Sequence, residues 1–226
     1  MTHMPKNSYC EFCRIANIKR KSHKARKGDR DEKPTRWGQE VSADTFWSKA
    51  EHDQGLHGEK YGVVIYDGYT KWRECHPAGN KNLNEAVQAL QRFQGDQPIT
   101  RIRTDSAAEL KKAALELQLC SDVSEPYRSE TNGDVERQIG IVRCGTKVTL
   151  YTAGFGPEMW PWGARYFCTA TNIGCEPGLE CAWSRKNPGR EFPGKRLPFG
   201  ALIHFKLPEA VIKRWKIPRF GPDGIP

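Results

Sequence analysis

The chain switches between two hydrophobic periods, and the switches mark out its elements. Residues 38–47 read as a strand ending near Asp44, 61–66 as a second, and 71–76 as a third with clean alternation. Asp67-Gly68 between the last two is a hairpin turn signal. The period then lengthens: Leu83, Val87, Leu90 and Phe93 share one helical face, with Asn82 placed to cap it. Residues 99–104 form a fourth strand that delivers Asp105 at its end, and Leu110, Ala114 and Leu117 mark a second helix. Residues 120–124 make a short fifth strand. After Asn132-Gly133, Val135, Ile139 and Val142 share a third helical face, and Pro157 opens a fourth helix carrying Trp160, Tyr166 and Phe167. From Gly174 onward Pro and Gly are frequent and periodicity fades, leaving a candidate strand at 201–206 and a candidate helix at 208–215. An antiparallel opening followed by alternating units predicts an α/β fold, a mixed five-stranded sheet with helices on both faces.

Composition sharpens that picture. The 226 residues are 37% hydrophobic and 28% charged, enough for one compact core with leaner flanks. No apolar run reaches the length of a membrane span, and Met1 to Asn17 lacks the apolar stretch of a secretory signal. The net charge is +9, unevenly spread. Residues 1–37 carry eleven Lys and Arg against four Asp and Glu, residues 184–226 carry ten against three, and the centre is left at −5. Basic arms release counterions from a phosphate backbone and bind it without sequence preference; the plainer reading is that they keep the flanks soluble. The stretch 14–36 reads as a basic linker. Of eight cysteines only Cys10 and Cys13 have metal-like spacing, and most of the others read as small buried hydrophobes in a reducing compartment.

Three carboxylates stand out by placement. Asp44 follows a strand, Asp105 ends another, and Glu136 lies in the first turn of a helix after Thr131-Asn132-Gly133-Asp134-Val135. Strand ends and helix starts converge on one rim of an open α/β sheet. Three convergent carboxylates suit a Mg²⁺ or Mn²⁺ pair, which serves phosphodiester chemistry. Singly, each has a plainer role as a turn, cap or dipole residue.

Residues 38–172 resemble the catalytic core of retroviral and copia-type retrotransposon integrases, a branch of the RNase H-like superfamily. Val41-Ser42-Ala43-Asp44 resembles the first acidic strand. Arg103-Thr104-Asp105-Ser106-Ala107-Ala108-Glu109-Leu110 is similar to the family's R-x-D-N-G-x-E-F segment. Pro126-Tyr127-Arg128-Ser129-Glu130-Thr131-Asn132-Gly133-Asp134-Val135-Glu136-Arg137 is similar to P-Y-x-P-x-x-N-G-x-x-E-R and is the most specific of the three. Trp160-Pro161-Trp162-Gly163-Ala164-Arg165-Tyr166 resembles the following helix, and Asn172 matches the Asn that often closes it. The resemblance implies an RNase H-like fold in which Asp44, Asp105 and Glu136 hold two Mg²⁺ or Mn²⁺ ions. It implies a polynucleotidyl transferase in which water, then a DNA 3′ hydroxyl, attacks phosphate. It also implies that Asn132 and Gly133 shape a loop approaching DNA, that Arg128 and Arg137 contact phosphate, and that the chain works as a homo-oligomer on DNA ends. The basic run Lys19, Arg20, Lys21 is a further DNA-binding candidate.

The match has departures. Ser106 stands for Asn, Ala107 for Gly and Ser129 for Pro; the interval between Asp105 and Glu136 is short; Gly140 and Gly145 fall inside the helix bearing Glu136. Cys10-x-x-Cys13 resembles half of the integrase zinc module, with His3 and His23 off the family spacing. Pro198-Phe199-Gly200-Ala201 and Arg219-Phe220-Gly221 look like the copia-type segment after the core. The expected organisation is a basic segment with a zinc-module remnant at 1–37, a catalytic core at 38–175, and a basic Pro/Gly-rich extension at 176–226, a piece of a Pol polyprotein. The expected setting is the nucleus or a cytoplasmic virus-like particle, with DNA rather than membrane as partner. The alternatives are a catalytically inactive nucleic-acid-binding remnant of a mobile element and an RNase H-like nuclease.

Overall fold

The computed structural model describes residues 7, 9–16, 33–48, 53–104, 107–123, 129–175, 179–203, 209, 211 and 214, with backbone only at 14–16, 122–123 and 129–132. Its elements run α1 (Glu11–Ala16), β1 (Val41–Trp47), β2 (Tyr61–Asp67), β3 (Arg73–Ala78), α2 (Leu83–Gln94), β4 (Arg101–Thr104), α3 (Ala108–Glu116), β5 (Cys120–Val123), α4 (Ser129–Ala153), a 3₁₀ turn (Pro157–Met159), α5 (Trp160–Ile173) and α6 (Ala182–Lys186). The strands form one sheet in the order β3-β2-β1-β4-β5. β1–β2 and β2–β3 are antiparallel, and β1–β4 and β4–β5 are parallel. This is the mixed five-stranded sheet expected from the periodicity.

Strand alternation sorts the core into two layers. Val41 and Ala43 of β1, Val63 and Ile65 of β2 and Ile102 of β4 face α2 and α3, where Leu90, Phe93, Leu110 and Ala113 meet them. Val64 and Cys75 face the other way, against Val142 and Leu150 of α4 and Trp160, Ala164 and Cys168 of α5. α2 begins as expected, with the Asn82 Oδ1 accepting from the Glu85 amide at 2.9 Å.

Several details differ from the sequence reading. α4 starts at Ser129, so Asn132 and Gly133 lie in its opening turns rather than in a loop ahead of it. A Cβ at Gly133 would meet nothing within 4 Å. Its cost there is helix propensity of about 1 kcal/mol, and Val135, two residues on, is buried. The β2–β3 connection is not a two-residue turn. Asp67 is the last residue of β2, and a five-residue loop, 68–72, follows, with the Asp67 amide donating to the Trp72 carbonyl at 2.9 Å and Lys71 at φ 67°. The Asp67 carboxylate, fully buried, explains the wider loop: it accepts from the Gly38 amide at 2.9 Å and from both the amide and the hydroxyl of Thr70 at 2.7 Å. α1 and α6 have too few residues to show a period. Residues 201–203 form no strand, while 204–206 lie outside the described residues; Glu209, Val211 and Arg214 are helical. Cys75, Cys168 and Cys181 are buried as expected, whereas Cys120 and Cys175 are exposed, Cys120 because it lies on the edge strand β5. No helix among the described residues is long and apolar enough to cross a membrane.

Candidate active site

Asp44 lies in the central strand, its side chain half-buried. Directly opposite it on β2 is Val64, and cross-strand partners share a face. Val64 belongs to the layer under α4, and so does Phe46, two residues on from Asp44. Asp44 therefore points to the α4 side of the sheet. The Thr45 amide donates to its Oδ1 at 2.6 Å, which helps fix the carboxylate.

Glu136 sits on α4, exposed, between two deeply buried neighbours, Val135 and Gln138, that hold the helix down on the sheet. Ile139, one turn later, packs into the layer containing Val64. Positions three apart on a helix are neighbours, so Glu136 stands at the rim where this layer meets solvent. α4 touches β1, β2 and β4. Two of the three acids are thus on one side of the sheet, from β1 and from the helix that crosses it.

Asp105 lies outside the described residues, as do Arg128 and the run Lys19, Arg20, Lys21 and, for its side chain, Asn132. The residues flanking Asp105 are described. Thr104, immediately before it, pairs with Ala43, immediately before Asp44, in the parallel β1–β4 register. Other parts of the same motif have structural work. Arg103 pairs with Glu40 at 3.1 Å and Glu109 with Lys81 at 3.1 Å. Ala107 takes φ −60° before α3, a conformation that needs no glycine.

Basic groups line the exposed side of α4. Arg137, Arg143 and Lys147 are exposed, and the Arg143 guanidinium lies over the Phe46 ring at 6.0 Å. Arg143 was not singled out by sequence; its place one strand position pair beyond Asp44 depends on the helix–sheet crossing. Arg73 contrasts with these: its Nε and one terminal nitrogen are buried without a hydrogen-bond partner, and burial lowers its pKa.

The supports of the site were only partly foreseen. Asn172, 1% exposed, spans the edge strand: its Nδ2 donates to the Arg73 carbonyl at 2.7 Å and its Oδ1 accepts from the Arg73 amide at 3.0 Å. That closes β3 against α5. At Gly145 α4 and α5 approach closely, since a Cβ there would overlap the Phe167 ring. The glycine is a packing requirement rather than an interruption of the helix. Trp160 packs edge-on to Phe46 at 5.6 Å as a core residue, and burial pushes the Cys168 thiol up to about 12.

Cys10 and Cys13 flank the start of α1, which packs on α4, with Cys13 buried. Among the described residues, no group of three or more His, Cys, Asp or Glu side chains is gathered to hold a metal ion. His3 and His23 lie outside them. The donor chemistry of Asp44 and Glu136, carboxylate oxygen on one face, fits a hard divalent cation.

No protein-family model and no curated protein matches the chain. Solved structures do. An intasome of simian T-cell lymphotropic virus in complex with the PP2A regulatory subunit B56 gamma aligns at 16% identity and TM-score 0.58, covering 83% of this chain and 66% of that one. The HTLV-2 integrase catalytic core domain in complex with magnesium, in a trimeric form, aligns at 14% identity and TM-score 0.51, covering 66% of this chain and 97% of that one. The chain thus spans about two thirds of the intasome subunit and nearly the whole of an isolated core domain. With its five-stranded sheet in the order β3-β2-β1-β4-β5, the chain shares the fold of these solved integrase structures.

Proposed function

We propose that the protein is a divalent-metal-dependent polynucleotidyl transferase that processes retroelement DNA 3′ ends and joins them to target DNA. The observation that carries this reading is the common face of Asp44 on β1 and Glu136 on α4, on an integrase-core fold. The pairing of Ala43 with Thr104, the residues just before Asp44 and Asp105, supports assigning Asp105 as the third acid. Asp44, Asp105 and Glu136 would hold the cations. Two such ions, when bound, neutralise charge on the attacking and leaving oxygens of a phosphoryl transfer.

The chain's own groups do the rest. Asp44 is oriented by the Thr45 amide, and α4 is fixed over it by the burial of Val135, Gln138 and Val142. Arg137 and Arg143 would contact DNA phosphates beside the acids, with Arg143 held over Phe46. Gly133, exposed in the opening turns of α4, leaves open space where a DNA backbone would approach. The solved neighbours are an intasome and a trimeric core; assembly of this chain as a homo-oligomer on DNA ends belongs to the same proposal. Strand transfer with Mn²⁺ on oligonucleotide ends tests it. The full chain joins ends, and Asp105→Asn and Glu136→Gln each abolish joining while retaining the fold. Joining that survives either substitution refutes the assignment, and DNA binding without joining by the full chain identifies a non-catalytic remnant.

A further inference from the structure

Two thiols meet where α5 gives way to α6. Cys175 follows the last residue of α5 by two positions, and Cys181 occupies the N-cap of α6. Their side chains are hydrogen-bonded to each other. The Cys181 sulfur lies 3.1 Å from the Ser184 hydroxyl and also accepts from the Trp183 and Ser184 amides. Neither cysteine is in a disulfide; Cys175 is exposed and Cys181 is buried.

Their surroundings make the two thiols unlike. Burial works against charge on Cys181, yet the hydrogen bonds from Cys175, Ser184 and the two amides outweigh it and hold its pKa below the ordinary thiol value. The same contact pushes Cys175 up, because its proton is held against the Cys181 sulfur, and burial adds to the effect. Arg196 acts on Cys175 in the opposite sense and favours its thiolate. That guanidinium is fixed in place, donating to the Ile173 carbonyl at 2.6 Å. Cys75 and Cys168 offer the contrast: both are enclosed between the sheet and α5, burial pushes both thiols up, and such thiols are inert.

We propose that Cys175 and Cys181 form a redox modification site, a dithiol that a disulfide of the glutathione class converts reversibly into an internal disulfide between the end of α5 and the start of α6. Exposed Cys175 is the point of entry. With the pair holding one proton, Cys175 passes it to Cys181 and attacks one sulfur of oxidised glutathione. The glutathione sulfur–sulfur bond breaks, a mixed disulfide forms on Cys175, and a glutathione thiolate leaves. Cys181 gives its proton to that thiolate and attacks the Cys175 sulfur, releasing the second glutathione as a thiolate that water protonates. Two electrons pass from the two cysteines to the oxidised glutathione, which ends as two thiols. The new bond ties α6 to α5. α6 in turn carries Trp183 against Trp72 and sets the Lys186 ammonium 3.7 Å from the Trp37 centroid, so oxidation fixes those contacts as well.

The site is separate from the acids, and its test does not involve catalysis. The full chain is equilibrated in buffers of oxidised and reduced glutathione, quenched with acid, alkylated and mapped by peptide mass spectrometry. The expected product has Cys175 joined to Cys181, and excess reduced glutathione restores both thiols. In the joined chain, amide hydrogen exchange at 182–186 slows at least threefold. Cys181→Ser stops at a glutathione adduct on Cys175. Cys175→Ser modifies Cys181 at least tenfold more slowly, because the buried thiol has lost its point of entry. A map in which Cys175 and Cys181 stay thiols, or a stable glutathione adduct on Cys175 of the unsubstituted chain, overturns the proposal. Modification of Cys181 in Cys175→Ser at the unsubstituted rate overturns Cys175 as the entry, and unchanged exchange at 182–186 overturns the fixing of α6. Should either serine variant fail to fold, the map of the unsubstituted chain decides.

Discussion

Two effects of opposite sign meet at Gly145, and the structure decides between them. In an isolated helix, replacing an interior glycine with alanine stabilises by about 1 kcal/mol. In this fold the added methyl would enter the Phe167 ring, itself 1% exposed and enclosed by the α4–α5 layer. Phe167 cannot swing to solvent without vacating the core, so either its rotamer or the spacing of α4 and α5 must give. Overpacking of this kind costs about 1–3 kcal/mol and occasionally more. With the propensity gain subtracted, Gly145→Ala is expected to destabilise by up to about 2 kcal/mol, lowering Tm by up to roughly 8 °C for a chain of this size. Urea unfolding followed by circular dichroism measures it as a lower midpoint at unchanged slope. Phe167→Leu makes room, so in that background the same alanine costs less by more than about 0.5 kcal/mol, the coupling expected of touching residues. A Gly145→Ala chain stabilised by the full propensity gain of about 1 kcal/mol would refute the close approach of α4 and α5.

Asn172→Ala strands the amide and carbonyl of Arg73 against α5 and is expected to cost about 2–4 kcal/mol in urea unfolding; a loss below about 0.5 kcal/mol would show that the edge strand is not held there. Burial alone would raise the Glu74 carboxyl, but hydrogen bonds from His76 and Trp72 outweigh it and hold it below its ordinary value. Its contribution is therefore full above the unfolded carboxylate range and lost as pH falls through the lower folded value, below about pH 4. Trp72→Phe, lacking the indole donor, should flatten that acid loss in unfolding curves taken from pH 6 to 2.5, and an unchanged pH profile would count against it. Arg143→Ala should reduce the log–log salt slope of DNA binding by about 0.9, the value for one phosphate contact; an unchanged slope would remove Arg143 from the interface.

Much of this architecture is legible in the chain because it is local. The apolar run in 61–66, the face shared by Leu90 and Phe93, and the Asn82 cap each depend on residues a few positions apart. Placement at a strand and at a helix start, with the family resemblance, likewise singled out Asp44 and Glu136, which fall on one side of the sheet. What escaped depends on residues far apart in sequence. Gly145 read as a helix breaker because only Phe167, on the next helix, reveals its purpose. Asp67 read as a turn residue because its partner amide belongs to Gly38, 29 positions earlier. The Lys186 ammonium lies over the rings of Trp37, Trp72 and Phe93, a combination that no periodicity marks.

The central claim is that Asp44, Asp105 and Glu136 act as one divalent-cation site, and Mn²⁺ binding by electron paramagnetic resonance tests it most directly. Free and bound Mn²⁺ are counted on the full chain and on Asp44→Asn, Asp105→Asn and Glu136→Gln, each checked for an intact fold. The account predicts saturable binding that each substitution weakens at least tenfold. Binding that is absent from the full chain at millimolar Mn²⁺, or that survives any one of the three substitutions unchanged, would contradict it.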